Sequence, residues 1–210
     1  MASSLMHIAV ANEINKTLKR DQTKLLIGTI APDIAKLVGE SKIKSHFSDS
    51  LDTDIPQLEK FLIKYEWHLN DDFVLGYYIH LYTDYLWFKY FIPEIYDEGT
   101  HLITKLDGTI VRCNDKEALY YIYNDYTNLN SLLIKEYNLD LSFLNQDIPM
   151  MDNIIKEIPM DKLNLIVEKT MNIVENSKVN KELLFNLENI NNFIDLAVSI
   201  IGNDLERYKN

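Results

Sequence analysis

Cysteine is nearly missing: the 210 residues hold one, Cys113. A lone thiol forms no bridge within the chain, so stability must come from an apolar core, which a chain of this length can build. Such cysteine usage fits a reducing compartment. Glycine and proline are scarce, at six and five, which leaves few sites for the tight turns of a many-stranded sheet. No apolar run approaches the ~20 residues of a membrane-spanning helix. The opening MASSLMHIAV has no basic stretch followed by a long apolar one, so no secretory leader is expected. Excess positive charge is missing too. A formal charge of −11 argues against a nucleic-acid-binding face and against docking on anionic lipid. A Gly-rich phosphate loop and a G-x-S-x-G elbow are absent. The expectation from these absences is a soluble, cytoplasmic protein.

What remains is helical periodicity. The pattern predicts an all-α domain spanning 1–210, with helices over about 4–19, 23–38 (broken at Ala31-Pro32), 56–69, 72–91, 115–136, 161–176 and 180–206. The polar stretch 40–55 reads as irregular, and Pro93 as the stop of the fourth helix. Asn70-Asp71-Asp72 offers that helix a cap. Leu106-Asp107-Gly108-Thr109 has turn chemistry between β-branched runs, so a small β-hairpin is expected near 100–113. Residues 138–210 contain no histidine and read as additional packing helices behind a core of 1–137.

The histidines, His7, His46, His68, His80 and His101, all fall in the first half. The most informative lies in GYYIHLYTDYLWF. His80 and Asp84 are four residues apart, hence on one helix face, in an apolar and aromatic segment. A buried carboxylate needs a partner charge or a metal, and no Lys or Arg lies between Lys64 and Lys89. A hydrogen-bonded His-Asp pair and a metal site both answer that need. Asp33 in IGTIAPDIAK alone would be a helix-start aspartate, His46 in KSHFSD a solvated loop residue, and His7 a core histidine. Taken together, three imidazoles and two carboxylates from separate elements suit zinc or a similar divalent ion. Five ligands exceed one tetrahedral ion, and two ions sharing a carboxylate would use them. Such pairs serve phosphoester hydrolysis. Tyr82 or Tyr85 could line the cleft, as could Asp125 and Asn128 in YYIYNDYTNLN. Glu66 and His68 read as exposed neighbours on the third helix.

The ordered set of His7, IGTIAPDI with Asp33, SHF with His46, and GYYIHLYTD with His80 and Asp84 resembles the zinc-dependent phospholipase C family, whose relatives include P1-type nucleases. The resemblance covers about residues 1–92. It implies a multi-helix bundle of the phospholipase C/P1 nuclease type with a cluster of one to three zinc ions. Asp33, His46 and His80 would hold one ion, Asp84 would bridge to a second, and His7 would help hold the second. A metal-bound hydroxide would attack a phosphoester, with Asp33 or Asp84 as general base, and the substrate would be a small-molecule phosphoester or a phospholipid head group. The sequence departs from the family at Tyr90, where a histidine is expected, and in lacking an H-x-x-x-E element. Tyr121-x-x-x-Asp125 is the nearest echo, and His101 and Asp125 are the substitute ligands to test. These departures keep an alternative open: a non-catalytic helical metal-binding or interaction protein of the same descent. A phosphohydrolase of the HD type is disfavoured, because no His-Asp dipeptide occurs.

Overall fold

The computed structural model describes residues 2–50, 55–179 and 181–208. The fold is all-α with one small sheet, as expected. The first helix, α1 (Ser4–Leu18), starts where the Ser3 side chain accepts from the N–H of Met6, and ends at Lys19 in the left-handed region. It is buried along both sides, from Leu5 to Ala11. The second, α2 (Gln22–Ile30), is capped by Asp21 and gives way at Ala31 to a tighter 3-10 segment, Ala31–Val38, with Pro32 in its first turn. The expected break at Ala31-Pro32 is thus a change of winding, and it carries Asp33.

The stretch 40–55 is not wholly irregular. Ser41 caps a short helix, α3 (Lys42–His46), which closes at Phe47 in the left-handed conformation. Leu51–Asp54, also within that stretch, lies outside the described residues. The third expected helix is α4 (Leu58–Tyr65), extended by a 3-10 turn at Glu66–His68.

The central helix is α5 (Asp72–Leu86), capped by the Asp71 carboxylate on the N–H of Val74. It widens into a π turn at Trp87–Phe91 and runs into α6 (Ile92–Ile95). Pro93 therefore opens a new turn rather than ending the old helix. Its missing N–H costs nothing in a first turn. The sheet is an antiparallel meander of β1 (Tyr96–Asp97), β2 (Leu102–Thr104) and β3 (Ile110–Arg112), pairing Ile103 with both Tyr96 and Val111. The expected hairpin thus carries an additional strand, and Gly108 turns it with φ +80°.

The long helix α7 (Asp115–Glu136) begins with a reciprocal cap between Asn114 and Glu117. An extended stretch with short 3-10 turns leads to α8 (Leu163–Glu175), and α9 (Leu187–Leu205) closes the fold. The last helix starts later than the expected 180. The Asp125 carboxylate accepts from the N–H groups of Leu183, Leu184 and Phe185 at 2.6–3.1 Å, which holds that segment in a loop, and Asn186 supplies the cap.

The tightest packing is α2 against α5. A Cβ on Gly28 would lie 2.2 Å from the carbonyl oxygen of Phe73, and one on Gly76 would lie 2.1 Å from that of Leu25. The two backbones touch because neither glycine has a side chain. Gly76 thus makes room for a neighbouring helix. The other helices pack around this pair, with α1 against both, α8 against α2 and the 3-10 segment, and α9 against α1 and α5.

Candidate metal centre

The close α2–α5 contact brings the carbonyl of Thr29 to His80. Nδ1 of His80 donates to it at 2.8 Å. A carbonyl only accepts, so the proton of the neutral ring sits on Nδ1 and Nε2 presents a lone pair. Across from it, the last residue of α3 presents His46, whose Nδ1 is 2.9 Å from the Ser45 hydroxyl. The backbone carbonyl of Ser45 is held in turn by the Tyr77 hydroxyl at 2.5 Å. Phe47 packs its ring edge-on against Phe61, centroids 5.4 Å apart. The three letters SHF thus supply an orienting hydroxyl, a buried imidazole and an aromatic anchor.

His7 enters from α1 with its ring stacked on that of His80, centroids 3.9 Å apart. Asp33 enters from the 3-10 segment and Asp84 from one turn beyond His80. The five side chains share one buried cluster, with relative exposures of 0–4 %. Two overlapping triads, His7–His80–Asp84 and Asp33–His46–His80, each keep their donor atoms within 4.8 Å.

The individual separations are instructive. His80 Nε2 is 3.2 Å from His46 Nε2 and 3.5 Å from Asp84 Oδ2. His46 Nε2 is 3.5 Å from Asp33 Oδ1 and 3.6 Å from Asp84 Oδ2. His7 Nε2 is 3.3 Å from Asp84 Oδ1. Ligands ~2.0–2.1 Å from one tetrahedral ion lie about 3.3 Å from each other. Asp84 turns its two oxygens to different neighbours. Oδ2 faces His46 and His80, while Oδ1 faces His7 and accepts the N–H of Ala2 at 2.8 Å.

Several of these atoms have no hydrogen-bond partner although buried: both nitrogens of His7, Oδ1 of Asp33 and Oδ2 of Asp84. Orphaned buried acceptors are costly and rare. Burial, together with the neighbouring His80, pushes His7 down to about 4. Burial also lowers His46, against the pull of Asp33. For Asp33, burial raises the carboxyl, but the close approach of His46, 3.5 Å away, and of His80 outweighs it and leaves it below the usual range. Asp84 also ends well below, because burial is outweighed by nearby positive charge and by the closeness of the His7 and His80 rings, at 3.3 and 3.5 Å. The directions at His7, His46, Asp33 and Asp84 favour neutral imidazoles beside ionised carboxylates, the forms that a divalent cation requires. The donor set fits an ion of the zinc type.

The remaining sequence candidates lie elsewhere. His101 is exposed on the sheet, beside the Tyr96 hydroxyl at 3.1 Å and Asp115 at 3.7 Å. Asp125 is buried but spends its carboxylate on the backbone of 183–185, so it serves as a clamp and stands apart from the two triads. Asn128 is buried and donates to the carbonyl of Lys181. Tyr82 and Tyr85 pack on each other beside Tyr78, which donates to Asp204 of α9. Tyr90, where the resemblance leads one to expect a histidine, is 50 % exposed against Tyr85. Glu66 and His68 lie outside both triads.

Thr29, Ser45 and Tyr126 are absent from the sequence candidates. Thr29 acts through its carbonyl, which no motif reveals. Ser45 adjoins His46, and that adjacency was its only signal. Tyr126 is buried, and its hydroxyl is raised well above the usual value by burial and by the charge of Asp84. Comparison of the chain with protein-family models, with curated proteins and with solved structures finds no match.

Proposed function

We propose that His7, Asp33, His46, His80 and Asp84 hold a pair of divalent cations, zinc foremost, and that the centre hydrolyses phosphoesters. The observation that carries this reading is a set of buried imidazole and carboxylate atoms from four elements, 3.2–3.6 Å apart, among which both nitrogens of His7, Oδ1 of Asp33 and Oδ2 of Asp84 have no hydrogen-bond partner. Asp33, His46, His80 and Asp84 would hold one ion, and His7 together with Asp84 would hold the other. Bound there, the ions would activate water and polarise a phosphoryl oxygen. Thr29 and Ser45 fix the ring orientations of His80 and His46. Asp33 and Asp84 act mainly as ligands, since carboxylates held below their usual range are weak proton acceptors at neutral pH. The net charge of −11 and the lack of a described helix able to cross a membrane favour a small soluble phosphoester over a lipid head group. The single, buried Cys113 fits a cytoplasmic location.

A second reading has its own support. All five ligands are buried, which suits a closed structural ion in a non-catalytic protein. Turnover separates the two. Protein stripped with a chelator and reloaded with zinc or manganese is assayed on p-nitrophenyl phosphate and bis(p-nitrophenyl) phosphate. Metal-dependent turnover that is lost in His80→Ala supports the hydrolase. Metal binding without turnover supports the structural ion. A folded protein that takes up no metal overturns both.

A further inference from the structure

Both triads of the metal centre claim His80, and its ring cannot serve both. Nδ1 is committed to the carbonyl of Thr29 at 2.8 Å, so the neutral imidazole keeps a single lone pair, on Nε2. One lone pair binds one ion.

The contest is uneven. His80 Nε2 is 3.2 Å from His46 Nε2 and 3.5 Å from Asp84 Oδ2, and His46 Nε2 is 3.5 Å from Asp33 Oδ1 and 3.6 Å from Asp84 Oδ2. Four protein donors can therefore meet at one position, which completes the tetrahedral shell of a closed site. His7 stands outside that shell. Its ring stacks on that of His80, with centroids 3.9 Å apart and an interplanar angle of 15°. An imidazole lone pair lies in the plane of its ring, so an ion in the plane of His80 lies off the plane of His7. What remains for a second ion is His7 Nε2 and Asp84 Oδ1, 3.3 Å apart. That oxygen also accepts the N–H of Ala2 at 2.8 Å. Two protein donors leave half of a tetrahedral shell to water or to a ligand from outside.

We propose that the two positions fill in order: Asp33, His46, His80 and Asp84 hold one ion tightly, and His7 with Asp84 takes up a second ion weakly and reversibly. The supply of free metal then switches the centre between one ion and two. This order rests on the paired-ion reading above and adds a division of roles. The ion at His80 is structural, and the open coordination positions belong to the ion at His7.

Calorimetric titration of the whole, chelator-stripped protein with zinc tests it, with cobalt as a spectroscopic probe. Loss of one supporting contact costs about 10–100-fold in affinity, so two missing donors should separate the two equivalents by at least about a hundredfold. The first equivalent of cobalt should give the intense visible absorption of a tetrahedral ion. The second should add only weak bands, because an ion completed by water expands its shell. His7→Leu, which removes the lone pair at similar volume, should abolish the second equivalent and leave the first unchanged. The titrations of the unaltered protein decide the matter even if that variant fails to fold. Two equivalents of equal affinity would overturn the order of filling and leave the paired centre standing. Uptake that stops at one equivalent, or a His7→Leu protein that still takes up two, would also overturn it. No uptake at all would overturn the paired centre, and the order of filling with it.

Discussion

Nε2 of His80 faces Nε2 of His46 across 3.2 Å, inside the core. Neither ring is free to turn away, since Nδ1 of His80 donates to Thr29 and Nδ1 of His46 meets Ser45. At that distance the two nitrogens share a proton or a cation between them. The adjacent unpartnered oxygens of Asp33 and Asp84 favour a cation with more than one charge.

The orienting hydroxyl gives the most selective mutational test. Ser45→Ala leaves all five side chains of the cluster in place but frees the His46 ring. Loss of such a supporting contact costs about 10–100-fold in metal affinity. Competition titration with a chromophoric chelator should show that loss with unchanged stoichiometry. His80→Ala, which removes a ligand common to both triads, should abolish tight binding.

Metal should stabilise the fold. Free zinc at about a hundred times its dissociation constant contributes about 2.7 kcal/mol, which for a chain of this size raises Tm by roughly 5–10 °C. Differential scanning calorimetry with zinc and with a chelator measures the difference. Equal Tm values would contradict occupation of the cluster.

Acid should destabilise the metal-free protein in two stages. His7 is held neutral down to about 4, against 6.5 in its ordinary state. The unfolded chain therefore binds the extra proton first, and stability falls as pH drops from about 6.5 towards 4, by up to about 3 kcal/mol. His46, lowered by burial, acts in the same direction. The depressed carboxyls of Asp33 and Asp84 add a second loss below their usual range, near pH 4 and lower. Denaturant midpoints between pH 8 and 4 check the sign. A protein more stable at pH 5 than at pH 7.5 would refute it.

The glycine contact should be intolerant. Gly76→Ala places a methyl against the backbone oxygen of Leu25, which has no flexible end to move. A loss of at least about 3 kcal/mol is expected, and the shift of α2 should weaken metal binding by displacing Thr29 from His80. Gly202, where an added Cβ would meet open space, is the control: Gly202→Ala should be neutral or slightly stabilising in α9.

Asp125 separates clamp from ligand. Asp125→Ala leaves the buried N–H groups of Leu184 and Phe185 unpaired and should cost roughly 3 kcal/mol or more. Metal stoichiometry should stay as in the unaltered protein. A loss of one bound ion would return Asp125 to the ligand set.

Much of this architecture was legible in the sequence because its signals are local. Helical periodicity, the Asp71 cap and the Asp107-Gly108 turn depend on neighbours a few residues apart. His80 and Asp84 were legible for the same reason, since i,i+4 spacing forces a shared face. What escaped is carried by backbone and by distance in the chain. Ala31–Val38 winds as a 3-10 segment, and Pro93 opens a turn instead of closing one. His46 sits on a capped helix within a stretch that reads as a polar loop. Asp125 and Tyr90 show the limit of positional analogy: each stands near an expected ligand position, yet one clamps a loop and the other lies half in solvent.

Anomalous diffraction at the zinc absorption edge, on crystals of protein purified without chelator and supplied with zinc, tests the central claim most directly. The account predicts anomalous density between Nε2 of His46 and Nε2 of His80, and a second peak between His7 and Asp84. A well-ordered cluster with all five side chains in place and no anomalous density would contradict it.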